Sequence, residues 1–185
     1  VEPYYSIKRN KIKYVTCTDD DESYILSRID QQIVSMSVRL IYNITPDLTV
    51  QYWGQPFLAA MDYSRFKAVT DPRAETLAGR YHLISEDEMT YDSDDDMYLV
   101  DEDYDGITDY SFDNPDNNYD QFLSNLVLRW EFSPGSTLFL VWSQTRNYSD
   151  ETGSFSLSHN LDNLYTSKKP YDVFLVKFTY RFGLR

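Results

Sequence analysis

The chain has a single cysteine, Cys17, so neither a disulfide framework nor a thiolate metal cluster is open to it. A buried or spectator thiol is the reading for that residue. Helical periodicity is almost absent, and no apolar run reaches the roughly 18 residues that a membrane-crossing helix needs. His82 and His159 are far apart, with no HExxH, GxSxG or phosphate-cradling glycine loop beside them. Glu86, Asp87 and Glu88 offer a carboxylate pair of the kind that glycoside hydrolysis uses. They stand in an acidic run, however, and such runs are solvated far more often than catalytic. No catalytic residue is assigned, and an enzyme is not expected.

Basic residues are also scarce: 17 Lys and Arg face 30 Asp and Glu, for a net charge of −13. Nucleic acid is excluded as a partner, because phosphate contacts need a basic surface. The deficit is local. From Glu86 to Asp120 there are 15 acidic residues and no Lys or Arg, while the remainder carries 17 basic against 15 acidic side chains. A balanced body therefore carries one acidic insertion, placed at residues 58–120. The opening "VEPYYSIKRN" has neither an initiator Met nor a signal peptide, and reads as a mature or excised segment. Asn43-Ile-Thr45 and Asn147-Tyr-Ser149 match the glycosylation sequon, a frequent chance pattern that matters only in a eukaryotic secretory context.

What the sequence does have is alternation with period two, the mark of strands. In "YDVFLVKFTYRFGLR", Phe174, Val176, Phe178, Tyr180, Phe182 and Leu184 oppose Lys177, Thr179, Arg181 and Gly183. In "IVSMSVRLIYNI", Val34, Met36, Val38, Leu40, Tyr42 and Ile44 oppose Ser35, Ser37, Arg39 and Asn43. "DLTVQYWGQ" and "FLSNLVLRWEF" repeat the pattern, "STLFLVWSQTR" is apolar on both faces, and "YYSIKRNKIKYV" is a weaker strand. Turns at Pro46 and Pro134-Gly135 are short; the connections around "TCTDDDES", at 58–120 and from about Asn147 to Pro170 are long.

Strands of about 10–14 residues, alternating short and long connections and aromatics at strand ends together describe an antiparallel transmembrane β-barrel segment. The apolar face would meet lipid, with Tyr42, Tyr52, Trp130, Phe132, Tyr180 and Phe182 near the interfacial girdles. The lumen-facing set is Arg39, Gln51, Asn125, Arg129, Glu131, Lys177 and Arg181, its charged members Arg39, Arg129, Glu131, Lys177 and Arg181 read as a cross-strand charge network ahead of an anion-selective channel lining. A soluble antiparallel β-sandwich alternates in the same way and remains the competing fold. About six strands are visible, whereas a closed bacterial barrel has at least about eight. Two open edges are intolerable in lipid. The chain therefore reads as one segment, residues 1–185, forming the C-terminal part of a larger barrel or closing with other subunits.

The sharpest polar motif is "VDEDYDGITDYSF". Asp101, Asp103 and Asp105 occupy alternate positions, Gly106 permits the sharp turn, and Ile107 offers a backbone carbonyl. Asp109 adds a carboxylate, and Phe112 stands where an EF-hand would place its bidentate Glu. The pattern resembles the shorter calcium loops of dockerin-like and thrombospondin-type repeats. The expected ligands for Ca2+ are Asp101, Asp103, Asp105, Ile107 and Asp109, in a structural role. "DSDDD" (Asp92, Asp94, Asp95, Asp96) is a weaker second candidate.

Longer segments carry a family resemblance: Arg28–Phe57, Val69–Ala74, the acidic loop, Phe122–Arg146 and the closing "VFLVKFTYRF". They resemble the C-terminal barrel region of an uncharacterised family of bacterial outer-membrane proteins that carry an N-terminal family 9-like carbohydrate-binding module. The resemblance implies the bacterial outer membrane as location, with outer-membrane lipid, the barrel-assembly machinery and glycans as partners. It also implies surface binding or uptake of glycan-related nutrients. The last residue, Arg185, departs from the aromatic or apolar ending common in such closing strands. The competing function is a soluble, calcium-stabilised β-sandwich for adhesion or glycan binding.

Overall fold

The computed structural model describes residues 1–18, 23–166 and 169–183, with only the backbone described at Lys11. Leu184 and Arg185 therefore lie outside the described residues, as does the acidic part of the first long connection.

Six long strands carry the architecture: β1 (Glu2–Cys17), β2 (Tyr24–Thr45), β3 (Leu48–Val69), β8 (Asn117–Ser133), β9 (Ser136–Asp150) and β10 (Tyr171–Thr179). They pair antiparallel in the order β1-β2-β3-β8-β9-β10, and the short β4 (Tyr81–Leu83) adds to β3 as a seventh strand. The all-β, antiparallel expectation holds. The sheet does not close: among the described residues no pairing joins β1 to β10. At 22 residues each, β2 and β3 reach about 70 Å when extended, roughly twice the hydrocarbon thickness of a bilayer.

The two tight turns follow from their residues. Gly135, at φ 80°, supplies the left-handed position that a type II turn places after proline. A Cβ there would meet Arg181 Cδ at 2.7 Å, so this turn needs glycine for space as well as for φ. The amide of Glu131 donates to the Asp47 carbonyl at 2.8 Å, tying this turn to the one at Pro46.

The insertion departs from a 58–120 loop in two ways. β3 continues to Val69 and β8 begins at Asn117, because charged Asp62, Arg65 and Lys67 break the visible alternation without ending the ladder. The residues between them fold: a 3-10 turn (Leu77–Gly79) precedes β4, and β5 (Met89–Asp92), β6 (Met97–Val100) and β7 (Tyr110–Asp113) form a second antiparallel sheet. This small sheet buries Val100 and Phe112 against Ile25, Phe66, Ala68 and Ile84 of the main sheet and its flank. Phe66, Tyr98 and Phe112 meet with centroids 5.0–5.4 Å apart, the spacing at which tilted rings attract.

A helix, α1 (Leu157–Thr166), stands where only a long connection was expected. Leu157, Leu161 and Leu164 recur at i, i+4 and i+7, which gives one apolar stripe. Asn160 and Leu164 are buried. By strand alternation the molecule has a clear division of faces. The small sheet covers the far end of the face that carries Ile25, Ile29 and, further along β2, Arg39. Helix α1 lies on the opposite face, over Asp120 and Phe122 of β8.

Candidate functional site

The acidic loop joins β6 to β7, and its geometry is set by its own carboxylates. Asp101 Oδ2 accepts from the Gly106 amide at 3.0 Å, and Asp103 Oδ1 from the Asp105 amide at 3.1 Å. Asp105 Oδ1 accepts from the Ile107 amide at 2.7 Å, and Asp109 Oδ2 from the Glu102 amide at 2.7 Å. Tyr104 at φ 60° and Gly106 at φ 84° make the sharp bend. One carboxylate oxygen from each of Asp101, Asp103 and Asp109 lies within 4.8 Å of the others. Asp101 Oδ1 is buried and accepts no hydrogen bond, so the loop aims one oxygen lone pair at nothing in the protein. Such an arrangement suits a hard cation, which takes oxygen ligands at about 2.3–2.6 Å.

Asp105 is the expected ligand that this geometry leaves outside the trio; its carboxylate holds the loop backbone at Ile107 instead. "DSDDD" forms the β5–β6 turn. Asp92 accepts from the Asp94 amide, and Asp96 receives Tyr91 Oη and Asn114 Nδ2. Its acids hold a hairpin together, and the convergence lies at Asp101, Asp103 and Asp109. Of the three acids weighed for hydrolysis, Glu86 and Asp87 are exposed while Glu88 turns inward. Burial opposes its charge, but the Ser85 amide at 2.6 Å and His82 Nε2 at 3.0 Å hold its carboxyl below the usual range. Glu88 is thereby a clasp between β4 and β5.

Six of the seven residues assigned to a lumen share one face. Register places Arg39 opposite Trp53, Trp53 opposite Asn125, and Gln51 opposite Val127. Arg129 lies opposite Phe139, which in turn faces Lys177. Arg129 Nη2 meets Glu131 Oε2 at 2.8 Å, Lys177 Nζ sits 5.8 Å over the Phe139 ring, and Trp53 Nε1 donates to Ser37 Oγ at 3.1 Å. A cavity of about 360 Å³ opens among Arg39, Gln51, Trp53 and Asn125. Arg181 falls beyond the end of β10, where its amide donates to Ser136 Oγ and its side chain covers Gly135. It lies past the end of β10 at Thr179, beside the turn that joins β8 to β9.

The opposite face is apolar over a defined height. On β8 it runs from Leu126 through Leu128 and Trp130 to Phe132, with Phe122 beyond a polar row of Ser124, Gln144 and Asp172, and register continues it through Val50 and Tyr52, Leu140 and Trp142, Phe174 and Val176. Much of it is bare: Leu40, Tyr42, Trp130, Leu140, Phe174, Val176 and Phe178 are all exposed. Near the turns, Trp130, Phe132, Phe178, Tyr180 and Phe182 form a chain of ring contacts. Both sequons lie inside strands with their side chains engaged, Asn43 by Thr49 and Asn147 by Gln121.

Sequence reasoning missed the attachment of α1. Asp120 is fully buried, and Asn160 Nδ2 donates to both of its oxygens at 3.0 and 3.1 Å. Burial pushes the Asp120 carboxyl up to about 6, with Asn160 working against the shift. Burial likewise raises Asp116 to about 6, although the Tyr63 amide opposes this. The leucine spacing of α1 could have revealed the helix, but no local signal names Asp120 as its anchor.

Residues 1–182 match the family described as Domain of unknown function (DUF5916). No curated protein and no solved structure matches the chain.

Proposed function

We propose, for a chain that belongs to the DUF5916 family, that it forms part of an outer-membrane β-barrel whose external portion is ordered by calcium. The observation that carries this reading is the exposed apolar face. Its span on β8, Phe122 to Phe132 with Ser124 the one polar residue on that face and α1 over the Phe122 end, is comparable to the about 9–11 residues that a tilted strand needs to cross hydrocarbon. A water-soluble monomer rarely leaves a contiguous apolar patch above a few hundred Å² uncovered. The facing side carries Arg39, Gln51, Asn125, Arg129 and Glu131, the polarity expected of a barrel interior.

The β-sandwich alternative draws on the small β5–β7 sheet, which does pack against the main one. That contact is confined to one end and leaves the apolar band bare, which favours lipid as the cover. The open edges β1 and β10 call for further strands, from a larger barrel or other subunits. Surface binding or uptake of glycan-related nutrients is the role suggested by resemblance to proteins with a family 9-like carbohydrate-binding module.

Membrane residence is tested by expression in a Gram-negative host. Extraction only by detergent, with heat-modifiable migration on a gel, is expected; a soluble monomer with its apolar band covered refutes the barrel. Calcium is tested by calorimetric titration. Asp103→Ala and Asp109→Ala abolish the binding heat if the trio is the site, and equal heats in wild type and variants remove it. Uptake of saccharides into proteoliposomes, compared with protein-free vesicles, tests the nutrient role.

A further inference from the structure

Trp53 stands on the polar face of the main sheet, and the register surrounds it with planar polar side chains. Arg39 of β2 and Asn125 of β8 lie directly opposite it on the two neighbouring strands. Along β3, alternation puts Gln51 and Gln55 two residues to either side on the same face. All four nearest positions therefore carry a guanidinium or a carboxamide. Neighbouring strands lie about 4.8 Å apart and alternate residues about 6.8 Å apart, so these positions frame the indole at roughly those distances. The ring is held from within the protein, its Nε1 donating to Ser37 Oγ at 3.1 Å. With that donor used, what Trp53 offers a ligand is carbon surface.

The cavity of about 360 Å³ opens at this place, lined by Trp53, Arg39, Gln51 and Asn125 together with Ile41 and Val127. Its volume lies within the range of about 300–1,000 Å³ usual for small-ligand sites. Arg39 and Gln51 are exposed, and among the described residues neither side chain has a hydrogen-bond partner. Asn125 Oδ1 accepts from Ser143 Oγ at 3.5 Å, the long limit of such a bond. The lining discriminates between ligand classes. A wholly apolar solute would cover the guanidinium and the amides without pairing them, which is costly. Arg39 is the one charged side chain among the described residues of the lining, so an anion would meet a single cation. A pyranose divides as the cavity does: C–H groups cover its ring face, and hydroxyls that donate and accept project from its rim. A guanidinium or carboxamide plane spans two adjacent hydroxyls with paired hydrogen bonds.

We propose that Trp53, Arg39, Gln51 and Asn125 form a binding subsite for an uncharged saccharide, one pyranose ring stacked on the indole and its hydroxyls bonded to the three polar side chains. The proposal rests on the barrel reading for making this face a lumen, and it names the place in that lumen where a glycan-related nutrient is held.

The test titrates the full chain, folded in detergent, with maltotriose, cellotriose and glucuronate, followed by saturation-transfer NMR and by tryptophan emission. At least one neutral trisaccharide is expected to bind, with saturation strongest on its ring C–H protons, and to change the emission. That change should vanish in Trp53→Phe, although Trp130 and Trp142 remain on the opposite face. Trp53→Ala should weaken binding about tenfold. Arg39→Ala/Gln51→Ala, which alters two exposed side chains and leaves the indole in place, should weaken it by a similar factor. Saturation of neither trisaccharide, equal binding in wild type and the double variant, or an emission change that persists in Trp53→Phe overturns the site. Glucuronate binding more tightly than both trisaccharides overturns the uncharged class. A detergent-extracted, heat-modifiable chain that binds neither trisaccharide removes this site and leaves the barrel. A soluble chain that binds one through Trp53 refutes the barrel and leaves the site standing.

Discussion

Replacing Asp120 with asparagine tests how α1 is held to the sheet, and the structure fixes the sign of the effect. Asp120 is fully buried beneath Asn160, and its folded-state value of about 6 lies above the ordinary 3.8. An acid raised on docking binds a proton more tightly docked than free, so docking carries no penalty below the ordinary value and the full penalty above the shifted one. The roughly two-unit difference corresponds to at most about 3 kcal/mol, reached where α1 supplies all of the burial. Docking of α1 should therefore weaken as pH rises from 4 to 7. Asp150 on β9 and His159 on α1 are the other charged groups acting on Asp120, the first raising and the second lowering it. Both remain in Asp120→Asn, as does Asp116, which is held by Tyr63 and not by α1. The asparagine keeps one oxygen for Asn160 Nδ2. The assay is amide hydrogen exchange in α1, corrected for intrinsic rate, with the Asn160 amide bonded to the Ser156 carbonyl as reporter. Wild-type protection should fall across this range, by up to about two orders of magnitude, and stay flat in the variant. Parallel pH profiles, or protection that rises with pH in wild type, would refute the reasoning.

Phe112→Ala should cost about 3–5 kcal/mol, because the ring is buried between Phe66 and Tyr98. The loss should appear as early proteolysis within residues 84–113 while the long strands stay protected. Gly135→Ala should destabilise the β8–β9 turn by more than Gly106→Ala destabilises the acidic loop. Both have φ above 80° or close to it, but only Gly135 meets a neighbour, Arg181 Cδ at 2.7 Å, while Gly106 faces open space. Thermal melts of the two variants compare them directly. Leu164→Ala, at 2% exposure, should loosen α1 by about 2–5 kcal/mol and raise exchange there at every pH.

The long strands were legible because each carries an uninterrupted period of two, and the turns because Pro46 and Pro134-Gly135 punctuate them. Where the period is disturbed, legibility ends. Leu58-Ala59-Ala60-Met61 is apolar at every position, Asp62 follows, and the bulge at Arg65 then shifts the alternation by one residue, so a strand running to Val69 reads as ending near Phe57. Strands β5, β6 and β7 have only four residues each, too few for alternation to stand out between acids. The convergence of Asp101, Asp103 and Asp109 is visible from spacing, yet spacing cannot tell that Asp105 stands outside that trio with its carboxylate on the Ile107 amide. The buried Asp120–Asn160 pair joins residues 40 apart, a distance at which local pattern carries no information.

The edges of the sheet bring the energetic argument to a point. β10 is exposed along its whole length, with Phe174, Val176 and Phe178 on one face and Val173 and Leu175 on the other. In water, a long edge strand with this much exposed apolar surface is a template for aggregation, and it carries no proline, so only Asp172 and Lys177 blunt it. In hydrocarbon, its unpaired amides and carbonyls would each cost several kcal/mol. Neither solvent tolerates β10 as it stands, so strand pairing onto this edge is required by either reading. The membrane reading further demands that the added strand repeat the division seen on β8 and β9, apolar beside Phe174 and polar beside Lys177. A Val176→Pro substitution separates the cases. It should prevent assembly into a detergent-resistant, heat-modifiable form if the edge is paired in the membrane. A variant that assembles normally would show that β10 is a true edge, and the barrel reading would then fail on the very strand that exposes most apolar surface.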